Sequence, residues 1–497
     1  MATPTPANEE PPGNPKPVLF FTALPGEGHT YPLITIASSM IQRSYPVVFH
    51  GGAQFEADVL AMGAKFSPIP SMLDPVPDPE AVAAAGKAII DCGVPLFVHG
   101  LVNFLYNTMP VRTQLLEDAI IKLKERNPTR QIIIIHELCS MNVTPFAYGR
   151  PVPKGFASFP KTIGIGAVNI SAPSLDTAPF SMGLPYDTSR ACLLRNKELR
   201  KLANQGPWLP LFEAAKRAMR GAGCTTVPEG HPFGTWYTAP DVCFQMCSAS
   251  MEYPLSDMPP KLRFAGCLPP RVSGSDFKAP SWWDHVLESA EKEERKIIFV
   301  SQGTAHVDYS QLIVPTMEAF RGRDDILTIA TLGIRGATLG DGIDVPENAR
   351  WTDFLAYDRI LPHADVFVCN AGYGSTSHAV TNGTPAVLAG EVLDKKEVTM
   401  RAVYAGYAWD LESATPSVEQ VRTGVEAVLA DRRFKEKAME LKAENEGMDC
   451  METIERQIIE FTHCSTERSR THLEAGVDPI FKSGGSSLSI TYSSRNL

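Results

Sequence analysis

The chain has 497 residues, with 46 Lys and Arg against 56 Asp and Glu and a formal net charge of -10. Hydrophobic residues make up 44% and charged residues 21%. That composition suits a folded globular protein, and the length suits two domains of roughly 200 residues each. An acidic chain without a basic cluster is a poor match to nucleic acid or anionic membrane, so any phosphate it binds must be held by local devices such as helix N-termini.

Residues 1–16 are rich in Pro, Asn and Glu and read as a disordered tail. No basic start is followed by an apolar run there, so no secretory signal is predicted. Nowhere does an apolar run reach the ~18 residues of a membrane span. Ten cysteines are scattered from Cys92 to Cys464, none in a CxxC pair. This pattern predicts reduced thiols, a cytoplasmic protein and no structural zinc. The sequons at Asn142, Asn169 and Asn382 read as chance matches.

Structure begins with the apolar run Pro17–Leu24, closed by Pro25-Gly-Glu-Gly-His29. A helical pattern follows, with Leu33, Ile34, Ala37, Met40 and Ile41 on one face, and then a strand over Pro46–His50. Strand, glycine turn, helix and strand form a βαβ unit, which implies a parallel sheet. Residues 81–109 read as packing helices that also suit the wall of an apolar pocket. Gln131–His136 and Lys161–Gly166 are further buried strands. A Pro-, Ser- and Gly-rich linker spans 268–280. The βα rhythm then restarts with strands at Lys296–Ser301, Ile326–Leu332, Val366–Cys369 and Pro385–Leu388. Helices fill 417–463, and a Ser-rich tail is expected over 464–497. The expected domains are therefore 17–267 and 281–463, both α/β.

The richest segment is Asn370-Ala-Gly-Tyr-Gly-Ser-Thr376, a glycine-rich turn between a buried strand and a helix. Glycines there allow close backbone approach, and the helix start favours an anion such as a diphosphate. His29 stands at another strand-to-helix turn, and an imidazole with a pKa near 6.5 suits a general base.

The ordered run Trp351, Phe354, Tyr357, Leu361-Pro-His-Ala-Asp365, Asn370–Thr376, Gly383-Thr-Pro385, Asp394-Lys395 and Arg401 resembles the donor-binding block of family 1 UDP-dependent glycosyltransferases. Gly26-Glu-Gly28-His29-x-x-Pro32 is similar to that family's acceptor-side motif, and Ser301-Gln-Gly-Thr304 to its loop after the first C-terminal strand. The resemblance covers about residues 17–412. It implies the GT-B fold: two Rossmann-like parallel-sheet domains facing across a cleft, the acceptor on the first and the donor on the second.

The resemblance also implies roles. His29 takes the proton of an acceptor hydroxyl. The family's orienting Asp falls on Glu137, at the end of the strand 132–135. His136 competes for that role, but adjacent strand residues point to opposite faces and Glu137 is preferred. On the donor side, Phe354 takes the place of the aromatic that packs on uracil. Tyr357 stands for a Gln, Asn370 for the His that contacts the diphosphate, and His378 for the Glu that binds ribose. Asp394-Lys395 replaces an Asp-Gln pair that reads sugar hydroxyls. Ser301, Gly303, Thr304, Gly372, Gly374, Ser375 and Thr376 line the diphosphate.

No Asp-x-Asp occurs in the C-terminal half to hold a metal-bound donor. The expected reaction is metal-independent, inverting hexosyl transfer from a nucleotide sugar, UDP-glucose first, to a hydroxyl of a small lipophilic secondary metabolite. The UDP-sugar is a co-substrate, and no cofactor is expected. The alternatives are a non-catalytic nucleotide-sugar-binding subunit and a nucleotide-sugar epimerase of the same fold.

Overall fold

A computed structural model of the chain describes residues 15–70, 94–270, 279–292, 294–304, 307–340, 342–391 and 394–474, with side chains as far as 463. Two α/β domains are built on separate, wholly parallel sheets. The first sheet contains β1 (Val18–Thr22), β2 (Val47–Gly52), β3 (Lys65–Ile69), β4 (Ile132–Glu137), β5 (Lys161–Gly166), β6 (Val242–Gln245) and β7 (Leu262–Phe264), in the order β3-β2-β1-β4-β5-β6-β7. The second contains β8 (Lys296–Ser301), β9 (Ile326–Thr331), β10 (Ala349–Thr352), β11 (Val366–Cys369), β12 (Ala386–Leu388) and β13 (Ala408–Asp410), in the order β10-β9-β8-β11-β12-β13.

The long apolar runs become the central strands because a parallel sheet covered by helices is buried on both faces. Leu19, Phe20 and Phe21 in β1, Ile133, Ile134 and Ile135 in β4, and Ile297, Ile298 and Phe299 in β8 have no exposed surface. In each sheet the strand order reverses between the two central strands, β1 and β4 in the first and β8 and β11 in the second. The loops leaving such a pair diverge and open a crevice at the carboxyl ends. Thr22 lies beside His136 in the first sheet and Ser301 beside Cys369 in the second, so the four loops that follow start level in pairs.

The packing helices expected in 81–109 occur where that stretch is described. Val94–Leu101 is helical, a π-helical turn covers Val102–Tyr106, and Val98, Leu105, Tyr106 and Met109 are buried. Residues 81–93, most of the linker (271–278), the start of the chain (1–14) and its end (475–497) lie outside the described residues.

Two boundaries differ from the sequence reading. The last helix, Cys450–Glu474, runs beyond the expected limit at 463. The chain also returns to the first domain before it ends. Asn445 donates to Ser248 Oγ and accepts from Cys267 N, and Arg43 pairs with Glu455. Helical periodicity shows only that a segment is helical; which sheet it covers depends on contacts far along the chain. The sequon Asn142 is buried, with its amide donating to Thr22 Oγ1, as befits a chance match.

Candidate active site at the two switch points

Helix α1 (Glu27–Gln42) begins directly after β1, with Gly26 as its N-cap. His29 therefore lies in the first turn of a helix, not in a free loop. A Cβ on Gly26 would stand 3.4 Å from the imidazole Cδ2, an ordinary van der Waals contact, so this turn packs directly against the ring. Glu137 ends the neighbouring strand β4 and is fully buried. Its Oε1 accepts a hydrogen bond from Cys139 N at 2.9 Å and lies 3.3 Å from His29 Nδ1. Glu stands where an Asp was expected, and its carboxylate caps the short turn that follows, Leu138–Ser140.

Strand alternation separates the two neighbours as expected. His136 points away, its Nδ1 contacting only the Glu137 carbonyl at 3.1 Å, and burial pushes its pKa down to about 4. Glu137 behaves differently. Burial opposes its ionisation, but the adjacent imidazole and the Cys139 amide outweigh this and hold the carboxyl below its usual range. For His29, burial pulls the pKa down, while Glu137 and, more weakly, Asp394 push it up; the net direction is upward. Asp394 opens the helix Asp394–Tyr404 of the second domain. The first domain's histidine is thus electrostatically coupled to a carboxylate of the second across the cleft.

The second domain presents the glycine turn expected to seat a diphosphate. Ala371 adopts a left-handed backbone (φ 56°) that turns the chain from β11 into the helix Tyr373–Asn382. The first-turn amides of that helix, from Tyr373 to Ser375, lack intrahelical acceptors by geometry. Ser375 and Gly374 are accessible there. Asn370 is tied by its Nδ2 to the Gln302 carbonyl, so the loops after β8 and β11 are joined. Gln302 anchors them: its Oε1 accepts from Leu312 N and Ile313 N, and its Nε2 donates to the Asp308 carbonyl. Gly303 takes a positive φ of 73° beside Asn370.

Not every residue in the predicted donor set reaches the crevice. Ser301 is fully buried, and its hydroxyl bonds Tyr357 OH at 2.7 Å and the Gly303 amide at 3.2 Å, so this pair braces the loop. Thr376 is 2% exposed, and its hydroxyl donates to the Tyr373 carbonyl within its own helix. His378 contacts Asp358 through Nδ1 at 2.8 Å. Thr304 is exposed and Gly372 half-buried. Phe354 is 38% exposed, with the Arg335 guanidinium 4.3 Å above its ring. Burial lowers Lys395 to about 8 and raises Asp394. Local sequence carries no sign of which hydroxyl is spent on backbone, because that depends on the packing around it.

Sequence reasoning missed the contacts that join the domains. Arg401 is buried, its Nε donating to Glu252 and its Nη1 to Glu397, while Nη2 donates to the Ile170 carbonyl at 2.8 Å. Gln245, at the end of β6, donates to Tyr373 OH at 2.9 Å. Arg401 was visible as part of a motif, but two of its partners, Glu252 and Ile170, lie more than 140 residues away.

Residues 326–461 match the family model described as erythromycin biosynthesis protein CIII-like, C-terminal domain. The chain is 35% identical over 442 residues to UDP-glucosyltransferase 1 of Beauveria bassiana (strain ARSEF 2860), covering 88% of this chain and 94% of that one. The chain belongs to the UDP-glycosyltransferase family. UDP-glucosyltransferase B1 of Starmerella bombicola is 31% identical, with 90% and 98% covered. The crystal structure of the glycotransferase of kitacinnamycin superposes with a TM-score of 0.62 at 18% identity, covering 90% of this chain and all of that one, and shows that the fold is GT-B. This UDP-glycosyltransferase is accordingly an enzyme that moves a sugar from a nucleotide-sugar donor to an acceptor. The likeness extends over nearly the whole length of the relatives, in favour of transfer over the epimerase and binding-subunit alternatives.

Proposed function

We propose that the enzyme transfers glucose from UDP-glucose to a hydroxyl of a small lipophilic acceptor, with inversion at the anomeric carbon. The observation that carries this reading is His29, held 3.3 Å from the buried carboxylate of Glu137, with the charge of Asp394 raising its pKa further. With the Nδ1 proton directed at Glu137, the Nε2 lone pair is left to accept the hydroxyl proton. The acceptor oxygen bonds to the anomeric carbon as the bond to the diphosphate oxygen breaks, and UDP leaves. The amides at the start of the helix Tyr373–Asn382 and the Ser375 hydroxyl stabilise the departing charge.

Asp394 accepts bonds from sugar hydroxyls, and Phe354 offers a ring for the base. The two relatives named above are UDP-glucosyltransferases, which favours UDP-glucose as donor. A lipophilic acceptor is supported by the apolar cluster behind the histidine turn, which includes Leu24, Leu138, Met141, Trp208, Phe233 and Trp236. A cavity of about 190 Å³ adjoins it, lined among others by Tyr106, Met109, Phe212, Met219 and Val227.

The test is transfer from radiolabelled UDP-glucose to a panel of hydrophobic phenols, sterols and hydroxy fatty acids, with the anomeric coupling constant of the product read by NMR. A β-glucoside is expected from the α-linked donor; an α-glucoside would refute single displacement. Preference for dTDP- or GDP-sugars would refute the donor assignment and leave the mechanism standing.

A further inference from the structure

The turn that orients His29 also carries a thiol. The ring nitrogen of His29, a carboxylate oxygen of Glu137 and Cys139 Sγ all lie within 4.8 Å of one another. Nitrogen, oxygen and sulfur are the donor set of four-coordinate Zn²⁺, with bonds of about 2.0 to 2.3 Å. A tetrahedron with such bonds has edges of roughly 3.3 to 3.7 Å. His29 Nδ1 already stands 3.3 Å from the nearer carboxylate oxygen of Glu137, Oε1.

A second observation concerns Glu137 itself. Its other oxygen, Oε2, is buried without a hydrogen-bond partner, an unusual state for a fully buried carboxylate. A metal bound there leaves the capping bond from Cys139 N to Oε1 in place. The His29 side chain is 31% exposed, and its Nδ1, like Glu137 Oε2, is buried without a hydrogen-bond partner.

We propose that His29, Glu137 and Cys139 form an inhibitory site for a thiophilic divalent cation, Zn²⁺ above all. One thiolate and one carboxylate neutralise the ion's charge. Asp394 adds negative charge nearby, and the buried guanidinium of Arg112 opposes it. Binding releases the Cys139 proton, and a second proton where His29 is protonated. Coordination through Nδ1 leaves the remaining ring proton on Nε2, so the imidazole can no longer accept a proton from the acceptor hydroxyl. Mg²⁺, which prefers oxygen ligands in octahedral geometry, does not fit this donor set.

The experiment uses the full chain without donor or acceptor, so it reads metal binding independently of activity. Titration with Co²⁺ is expected to give one equivalent of a near-ultraviolet thiolate-to-cobalt absorption that Zn²⁺ displaces. In Cys139→Ser, with folding checked by circular dichroism, the band is expected to vanish and Zn²⁺ affinity, read by calorimetry, to fall on the order of 100-fold. His29→Asn is expected to weaken binding as well. Absence of the band in the wild-type chain overturns the proposal. A band that survives Cys139→Ser does so too, since it would belong to another cysteine such as the partly exposed Cys192.

Discussion

In the proposed mechanism His29 and Glu137 act on one proton, and each shifts the other's titration. A base works in its deprotonated form, so a pKa raised above 6.5 places the acid limb of the pH–rate profile above 6.5, with activity falling as pH drops through it. Glu137→Gln removes the main upward influence and leaves burial, which lowers the histidine's pKa. Its acid limb is expected to move to lower pH while the plateau rate falls, both read from kcat/KM against pH. His29→Ala is expected to lose about 10² to 10⁴-fold in kcat with KM for UDP-glucose little changed. Full activity in that variant would remove His29 from the reaction.

At the scale of elements, the donor crevice depends on loops that touch without room to spare. Gly390 follows β12, and a Cβ there would lie 2.3 Å from Thr399 Oγ1, 2.5 Å from Ala371 Cβ and 2.8 Å from the Lys395 carbonyl. One glycine thus seats the turn at Ala371 against the start of the helix that carries Asp394 and Lys395. Gly390→Ala is expected to cost about 1 to 3 kcal/mol of stability by overpacking, and to weaken UDP binding more than acceptor binding. Thermal unfolding with and without UDP measures both. The histidine turn and the diphosphate turn were legible in the sequence because glycine, proline and an apolar strand announce a βα turn locally. The bracing roles of Ser301, Thr376 and Gln302 were not, since a hydroxyl or amide reads the same whether it faces a ligand or a carbonyl.

At the scale of the molecule, the proposed active site draws on residues of both domains. UDP is expected to raise the melting temperature, with a stabilisation of about 2.7 kcal/mol at 100 times its Kd, measurable by calorimetry. The buried Arg401–Glu252 pair joins the halves. Arg401→Met leaves two acidic partners uncompensated and is expected to destabilise by about 3 to 5 kcal/mol. Burial already holds the Glu252 carboxyl above its usual range. A buried group with a raised folded pKa is accommodated in its neutral form below that pKa and becomes a liability as pH rises through it. The deficit of Arg401→Met is therefore expected to shrink as pH falls towards the carboxylate range. The paired change Glu252→Gln with Arg401→Met is expected to recover much of the loss in denaturant unfolding at neutral pH.

The family resemblance picked out Glu137; the sequence pattern alone determined the two parallel-sheet domains, their main strands and the turns that carry His29 and the glycine run. These follow from local apolar runs and from residues with narrow backbone preferences, which are properties of short segments. The short strands β3, β6, β7, β10 and β13, the return of the last helices to the first domain, the partners of Arg401 and the thiol beside Glu137 were decided by tertiary structure. They depend on which side chains meet across hundreds of residues, and on which polar atoms remain unspent once the backbone has taken its share.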